Sequence, residues 1–157
     1  MPSENVPVVI VDYNESHREA FGALNYQWIT KYFVVEAADR AALDDPEATI
    51  LAPGGRILIA EINALAVGTC ALLRKDTATL ELAKMAVAEN RQGLGIGRAL
   101  GLAAITTAQQ MRATRIVLES NRRLDAALAL YRSLGFVEIA AGDSDYTRCD
   151  IQMEKML

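Results

Sequence analysis

Arg91-Gln92-Gly93-Leu94-Gly95-Ile96-Gly97-Arg98 lies between Thr79–Val87, which reads as a strand, and Leu94–Met111, which is rich in alanine and leucine and reads as a long helix. That placing gives the glycines their meaning. A glycine lets the backbone approach a bulky anion with no Cβ in the way. The first amides of a helix lack internal partners, and the helix dipole favours negative charge there. A glycine-rich turn between strand and helix, flanked by two arginines, therefore reads as a pyrophosphate cradle. Gly101, inside the helix, costs about 1 kcal/mol relative to alanine, and a close helix–sheet approach would explain it. The spacing Gly93-x-Gly95-x-Gly97 is not the GxGxxG of dinucleotide-binding folds, and there is no GKS or GKT of a P-loop.

Upstream of the turn, Val6–Val11 is β-branched and strand-like, and Ser16 followed by Glu19 reads as a capping box. Phe21, Leu24, Trp28, Ile29 and Tyr32 recur at helical spacing, so Ser16–Phe33 is expected as an amphipathic helix. Ala38–Leu43 reads as a short helix that stops before Asp45-Pro46. Pro53-Gly54-Gly55, Asn63-Ala64 and Lys75-Asp76 are turns that separate Arg56–Ile62, Leu65–Leu73 and Thr79–Val87 into an antiparallel meander. Downstream, Arg115–Glu119 is a strand. Asp125–Leu134 is a helix stopped by Gly135, and Phe136–Ala140 and Cys149–Met156 are the last strands. A meander followed by strand–helix alternation implies an α/β fold: a mixed sheet of about seven strands flanked by about four helices on both faces. A crossover helix joins Thr79–Val87 to Arg115–Glu119, so these two strands, fourth and fifth in the sequence, should run parallel.

Gln92-x-x-Gly95-x-Gly97 resembles the Q/R-x-x-G-x-G/A signature of the GNAT superfamily of N-acetyltransferases. Glu81-Leu82-Ala83-Lys84-Met85-Ala86-Val87 is similar to the strand before that signature. Asn121 and Ala126–Phe136 resemble the later N…A…LYxxxGF motif. The resemblance covers Thr79–Phe136 and implies a GNAT-like sheet splayed between strands 4 and 5. It implies acetyl-CoA as cosubstrate, with coenzyme A as product, and transfer of the acetyl group to a primary amine, taken here as that of a small molecule.

In that family the pantetheine arm lies along the strand before the signature, here Met85, Ala86 and Val87. The backbone of Gln92, Gly93, Leu94, Gly95, Ile96, Gly97 and Arg98 would hold the pyrophosphate, and Asn121 would contact the arm. Glu81 stands eleven residues before Gln92, the register of a base glutamate in histone-modifying members. It alternates with Ala83, Met85 and Val87, company that would raise a carboxyl pKa toward a useful value for a base. Tyr131 matches the family's usual proton donor to the departing thiolate and would also touch the cofactor. The amine site is less legible: Trp28, Tyr32, Glu119 and Arg148 are its candidates, with Tyr146 and Asp150 beside them, and Arg148 and Asp150 are expected to pair as strand neighbours.

In a strictly alternating strand Lys84 would share a face with Leu80, Leu82 and Ala86. A β-bulge near Lys84–Ala86 would relieve that conflict and free amides for the pantetheine arm. The other reading of the same fold is an acyl-CoA-binding or sensing module without catalysis, and the presence of both Glu81 and Tyr131 argues against it.

Composition agrees with one domain over residues 1–157: the chain is 52% hydrophobic and 23% charged, with net charge −4. No basic footprint for nucleic acid is present, and the acidic balance weakly favours cationic substrates. Cys70 and Cys149 read as two buried free thiols, and the single histidine, His17, as part of a solvated helix start. No metal site is expected. Met1–Pro7 has neither the basic nor the apolar part of a signal peptide, and no apolar run reaches membrane-spanning length. The expectation is a cytoplasmic protein without membrane or nucleic-acid partners, whose edge strands could support a homodimer.

Overall fold

Every expected strand and helix has its counterpart in the computed structural model, which describes residues 7–157. The order is β1 (Val9–Asp12), α1 (Arg18–Tyr32), α2 (Ala37–Asp44), β2 (Arg56–Ile62), β3 (Leu65–Arg74), β4 (Thr79–Val87), α3 (Ile96–Gln110), β5 (Arg115–Ser120), α4 (Asp125–Ser133), β6 (Val137–Ile139) and β7 (Ile151–Met156). Val6, the first residue of the expected opening strand, lies outside the described residues. The strands form one sheet in the order β1-β2-β3-β4-β5-β7-β6. All neighbours are antiparallel except β4 and β5, which run parallel as the crossover requires.

Alternation along the strands builds two cores. In β2, Ile57 and Ile59 face Phe21 and Ile29 of α1 and Leu43 of α2. Leu58, Ala60 and Ile62 face the other way, into a larger cluster with Leu100 and Ala104 of α3, Leu128 of α4, and Leu80, Leu82, Ile116 and Leu118 of the central strands. Helices thus cover both faces. Among the described residues no helix is long and apolar enough to cross a membrane.

Four local expectations are corrected. The cap before α1 is Asn14, whose side chain accepts from the Ser16 amide at 2.9 Å, and a single 3-10 turn at Glu15–His17 precedes the helix. His17 is buried rather than solvated: Nδ1 accepts from the Asn14 amide at 3.0 Å and Nε2 lies 3.3 Å from Glu61. A Cβ on Gly101 would stand 2.5 Å from Leu134 Cδ1, so its close neighbour is the end of α4, not the sheet. The last strand starts at Ile151, because Arg148, Cys149 and Asp150 belong to a loop. There the Cys149 amide donates to the Tyr146 carbonyl and Asp150 Oδ1 accepts from the Arg122 amide. Arg148 and Asp150 therefore do not pair.

The expected bulge is present. Ala71 pairs with Ala83 and Thr69 with Ala86, so β4 carries one residue more than β3 at this point. Lys84 adopts φ 54°, a left-handed conformation rare for a side chain other than glycine. That turn takes Lys84 away from Leu80 and Leu82 and aims it at α2, where Nζ donates to Asp39 Oδ1 at 3.2 Å.

Candidate active site

The β4–β5 ladder runs from Thr79–Arg115 to Leu82–Leu118 and stops. Beyond it, residues 83–87 have no strand on that side, and the gap opens into a cleft of about 700 Å³. Glu81–Val87 line one wall. Glu119, Ser120, Asn121 and Tyr131 line the other, and the Gln92–Arg98 turn closes one end. Of the residues that the sequence nominated for cofactor contact, only Leu94 is absent from the lining; the residue is 60% exposed.

The turn has the makings of an anion site. Gly93 and Gly95 take φ 78° and 80°, and a Cβ added at either would meet nothing within 4 Å. Gly95 is the residue before α3, which starts at Ile96. No backbone amide from Gln92 to Arg98 donates a hydrogen bond within the described residues. A pyrophosphate fits this arrangement: amides need acceptors, and the helix dipole favours an anion there.

Glu81 and Tyr131 both reach the cleft. Glu81 is 8% exposed. Burial raises its pKa, Lys75 at 3.2 Å opposes that rise, and the nearby Glu119 adds to it. Tyr131 is half-buried, its ring 6.1 Å from that of Phe136, and its hydroxyl has no partner among the described residues. Burial pushes its phenol up to about 12, so it keeps its proton at neutral pH. Asn121 lines the cleft but its amide is occupied: Nδ2 donates to the Arg148 carbonyl at 2.8 Å and Oδ1 accepts from the Arg123 amide at 2.9 Å.

Trp28, Tyr32 and Phe33 also line the cleft, with Trp28 5.5 Å from Tyr32 and 5.8 Å from Phe33. Sequence reasoning missed the charged network beside them. Asp39 is 0% exposed. Arg148 grips it with two hydrogen bonds of 2.6 and 2.8 Å and reaches Glu36 at 3.2 Å. Lys84, with a side chain 5% exposed, joins Asp39 to the Tyr146 hydroxyl at 2.6 Å. Burial alone would raise the Asp39 pKa, but the Arg148 and Glu36 hydrogen bonds and the Lys84 charge overcome it and hold the carboxyl at about 2. Cys149 also lines the cleft and is half-buried, so only Cys70 is the buried thiol expected.

Residues 53–138 match the family model described as the acetyltransferase (GNAT) domain. The chain is 32% identical over 92 residues to an uncharacterised N-acetyltransferase of Escherichia coli K12, YjgM, covering 57% of this chain and 55% of that one. It is 33% identical over 115 residues to an N-acetylaspartate synthetase of Danio rerio, covering 72% of this chain and 40% of that one. The match thus spans about half the length of these curated relatives. A crystal structure of a GNAT-family acetyltransferase from Staphylococcus aureus Mu50 superposes with a TM-score of 0.86 at 25% identity, covering 96% of this chain and 99% of that one. By its family-model match and its splayed sheet, the chain belongs to the GNAT acetyltransferase family.

Proposed function

We propose that residues 1–157 act as one acetyltransferase domain that transfers the acetyl group of acetyl-CoA to a primary amine of a small molecule. The observation that carries this reading is the coincidence in one cleft of free amides at Gln92–Arg98, an unpaired stretch of β4, a buried carboxyl at Glu81 and an unpartnered phenol at Tyr131. When bound, the cosubstrate supplies an activated thioester. The amides of the turn and the Arg98 region hold its pyrophosphate, and the Met85–Val87 backbone offers hydrogen bonds to its amide-bearing arm. Asn121 shapes the wall beside that arm.

Glu81 takes the proton of the incoming amine. Burial raises its pKa, which makes it a stronger base than a solvated glutamate. Tyr131 holds a proton at its hydroxyl, ready for a leaving thiolate on the opposite wall. Trp28 and Tyr32 form an aromatic wall for the acceptor, and Glu119 and Arg148 its polar surroundings. The Danio rerio relative supports a small acceptor, because its name is that of an enzyme making an N-acetylated small molecule. The test is release of free thiol from acetyl-CoA with a broad panel of amines, including polyamines, amino acids and peptides. Amine-dependent release is expected. Cofactor binding with no release from any amine would instead favour a non-catalytic binding module.

A further inference from the structure

Lys84, Arg148 and Glu81, which line the cleft, are ion-paired, whereas, among the described residues, Glu119 and Arg123, of opposite sign, are not. Lys84 and Arg148 are both spent on Asp39, and Arg148 also on Glu36. Glu81 is paired with Lys75. Glu119 lines the cleft half-buried, accepts from Ser144 Oγ at 2.8 Å and from Gln152 Nε2 at 3.3 Å, and meets no cation among the described residues. Arg123 stands exposed at the rim with no carboxylate partner among the described residues.

Arg123 is nonetheless held in place. Its guanidinium lies 4.8 Å from the centre of the Phe33 ring, and one nitrogen donates to the Tyr32 carbonyl at 3.0 Å. The cation–π contact and one hydrogen bond anchor the guanidinium and leave most of its five N–H groups unused. A guanidinium fixed in this way is suited to grip a carboxylate with two parallel hydrogen bonds. It lies against the end of α1, beside the aromatic residues of the cleft.

We propose that the acceptor is an amino acid: a primary amine that also carries a carboxylate, with Arg123 gripping the carboxylate and the ammonium drawn toward Glu119 and Glu81. This rests on the acetyltransferase reading above and narrows its substrate class. The acidic net charge of −4 points the other way, toward purely cationic amines. Local pairing outweighs it, since distant surface charges are screened beyond about 8–10 Å.

The experiment compares each of the common amino acids with its own α-carboxamide and its decarboxylated amine, by thiol release from acetyl-CoA, in the wild-type protein and in Arg123→Gln. The expected result is kcat/KM at least ten-fold higher for an amino acid than for its carboxamide. In Arg123→Gln that ratio falls at least ten-fold, through KM, while KM for acetyl-CoA moves less than two-fold. Arg123→Lys keeps the charge without the fork and should restore only part of the ratio. Equal or better turnover of the carboxamides and decarboxylated amines overturns the inference and leaves the acetyltransferase reading standing. A rise in KM for acetyl-CoA in Arg123→Gln also overturns it, because the guanidinium would then serve the cofactor. No thiol release with any amine, polyamines and peptides included, overturns the acetyltransferase reading itself.

Discussion

Tyr131 and Glu81 line the same cleft, and in the proposed reaction one gives a proton to the thiolate and the other takes one from the amine. Replacing Tyr131 with phenylalanine keeps the ring against Phe136 and removes only the hydroxyl. Turnover should fall about 100-fold, the lower range for loss of a general acid, while the dissociation constant for acetyl-CoA changes less than two-fold. Steady-state kinetics with parallel calorimetry checks this, and full activity in the variant would assign thiolate protonation to another donor. These two residues were legible because each sits in a motif with fixed register. Lys84, Asp39 and Arg123 were not. The partners that give them meaning lie 45 residues apart for Lys84 and Asp39, 109 for Asp39 and Arg148, and 91 for Arg123 and Tyr32. Periodicity and local motifs do not encode such separations.

At the level of elements, the bulge of β4 was readable as a conflict: an ammonium cannot share the face of Leu80 and Leu82 without a partner. The sequence held the conflict, and the fold resolves it through a left-handed Lys84 that ties β4 to α2. Helix starts were harder. Ser16 and Glu19 have the right spacing for a cap, but Asn14 fits the same role and lies where the chain leaves β1. The tie among α2, β4 and the loop before β7 centres on Asp39. Asp39→Asn takes the ion-pair partner from Lys84 and leaves Arg148 with Glu36 alone, a loss of about 3 kcal/mol by analogy with broken buried pairs. For a chain of this size that is a fall in Tm of roughly 6–12 °C. The pH dependence has a definite sign. Asp39 is held at about 2, below its ordinary 3.8, so its stabilising effect is present above pH 4 and is lost as the pH falls through that window toward 2. Thermal melts from pH 2.5 to 7 should show this acid loss in the wild type and a smaller one in Asp39→Asn. Identical acid limbs in the two proteins would contradict the role given to the carboxylate.

Across the whole molecule, one parallel pair within an antiparallel sheet follows from the order of elements, because a helix must cross over between β4 and β5. The gap between those strands was legible only through the family resemblance. No local property of Ala83–Val87 or Glu119–Asn121 states that the ladder ends at Leu82 and Leu118. The loop of residues 140–150, which carries Tyr146 and Arg148 to the cleft, was read partly as strand. Its hydrogen bonds run to Glu36, Asp39 and Lys84 on distant elements. In the proposed function the Gln92–Arg98 turn, at the closed end of this gap, holds the pyrophosphate of acetyl-CoA. The direct measurement is a calorimetric titration of the wild type and of Gly95→Glu with acetyl-CoA and with NAD. A Cβ at Gly95 meets no protein atom within 4 Å, so the substitution is expected to cost about 1–2 kcal/mol for the left-handed backbone and to leave a folded chain with a carboxylate in the cradle. The wild type should bind acetyl-CoA and give no heat with NAD, and Gly95→Glu should bind acetyl-CoA at least ten-fold more weakly while still unfolding cooperatively. NAD binding without a response to acetyl-CoA, or a Gly95→Glu protein that binds acetyl-CoA as tightly as the wild type, would contradict the account.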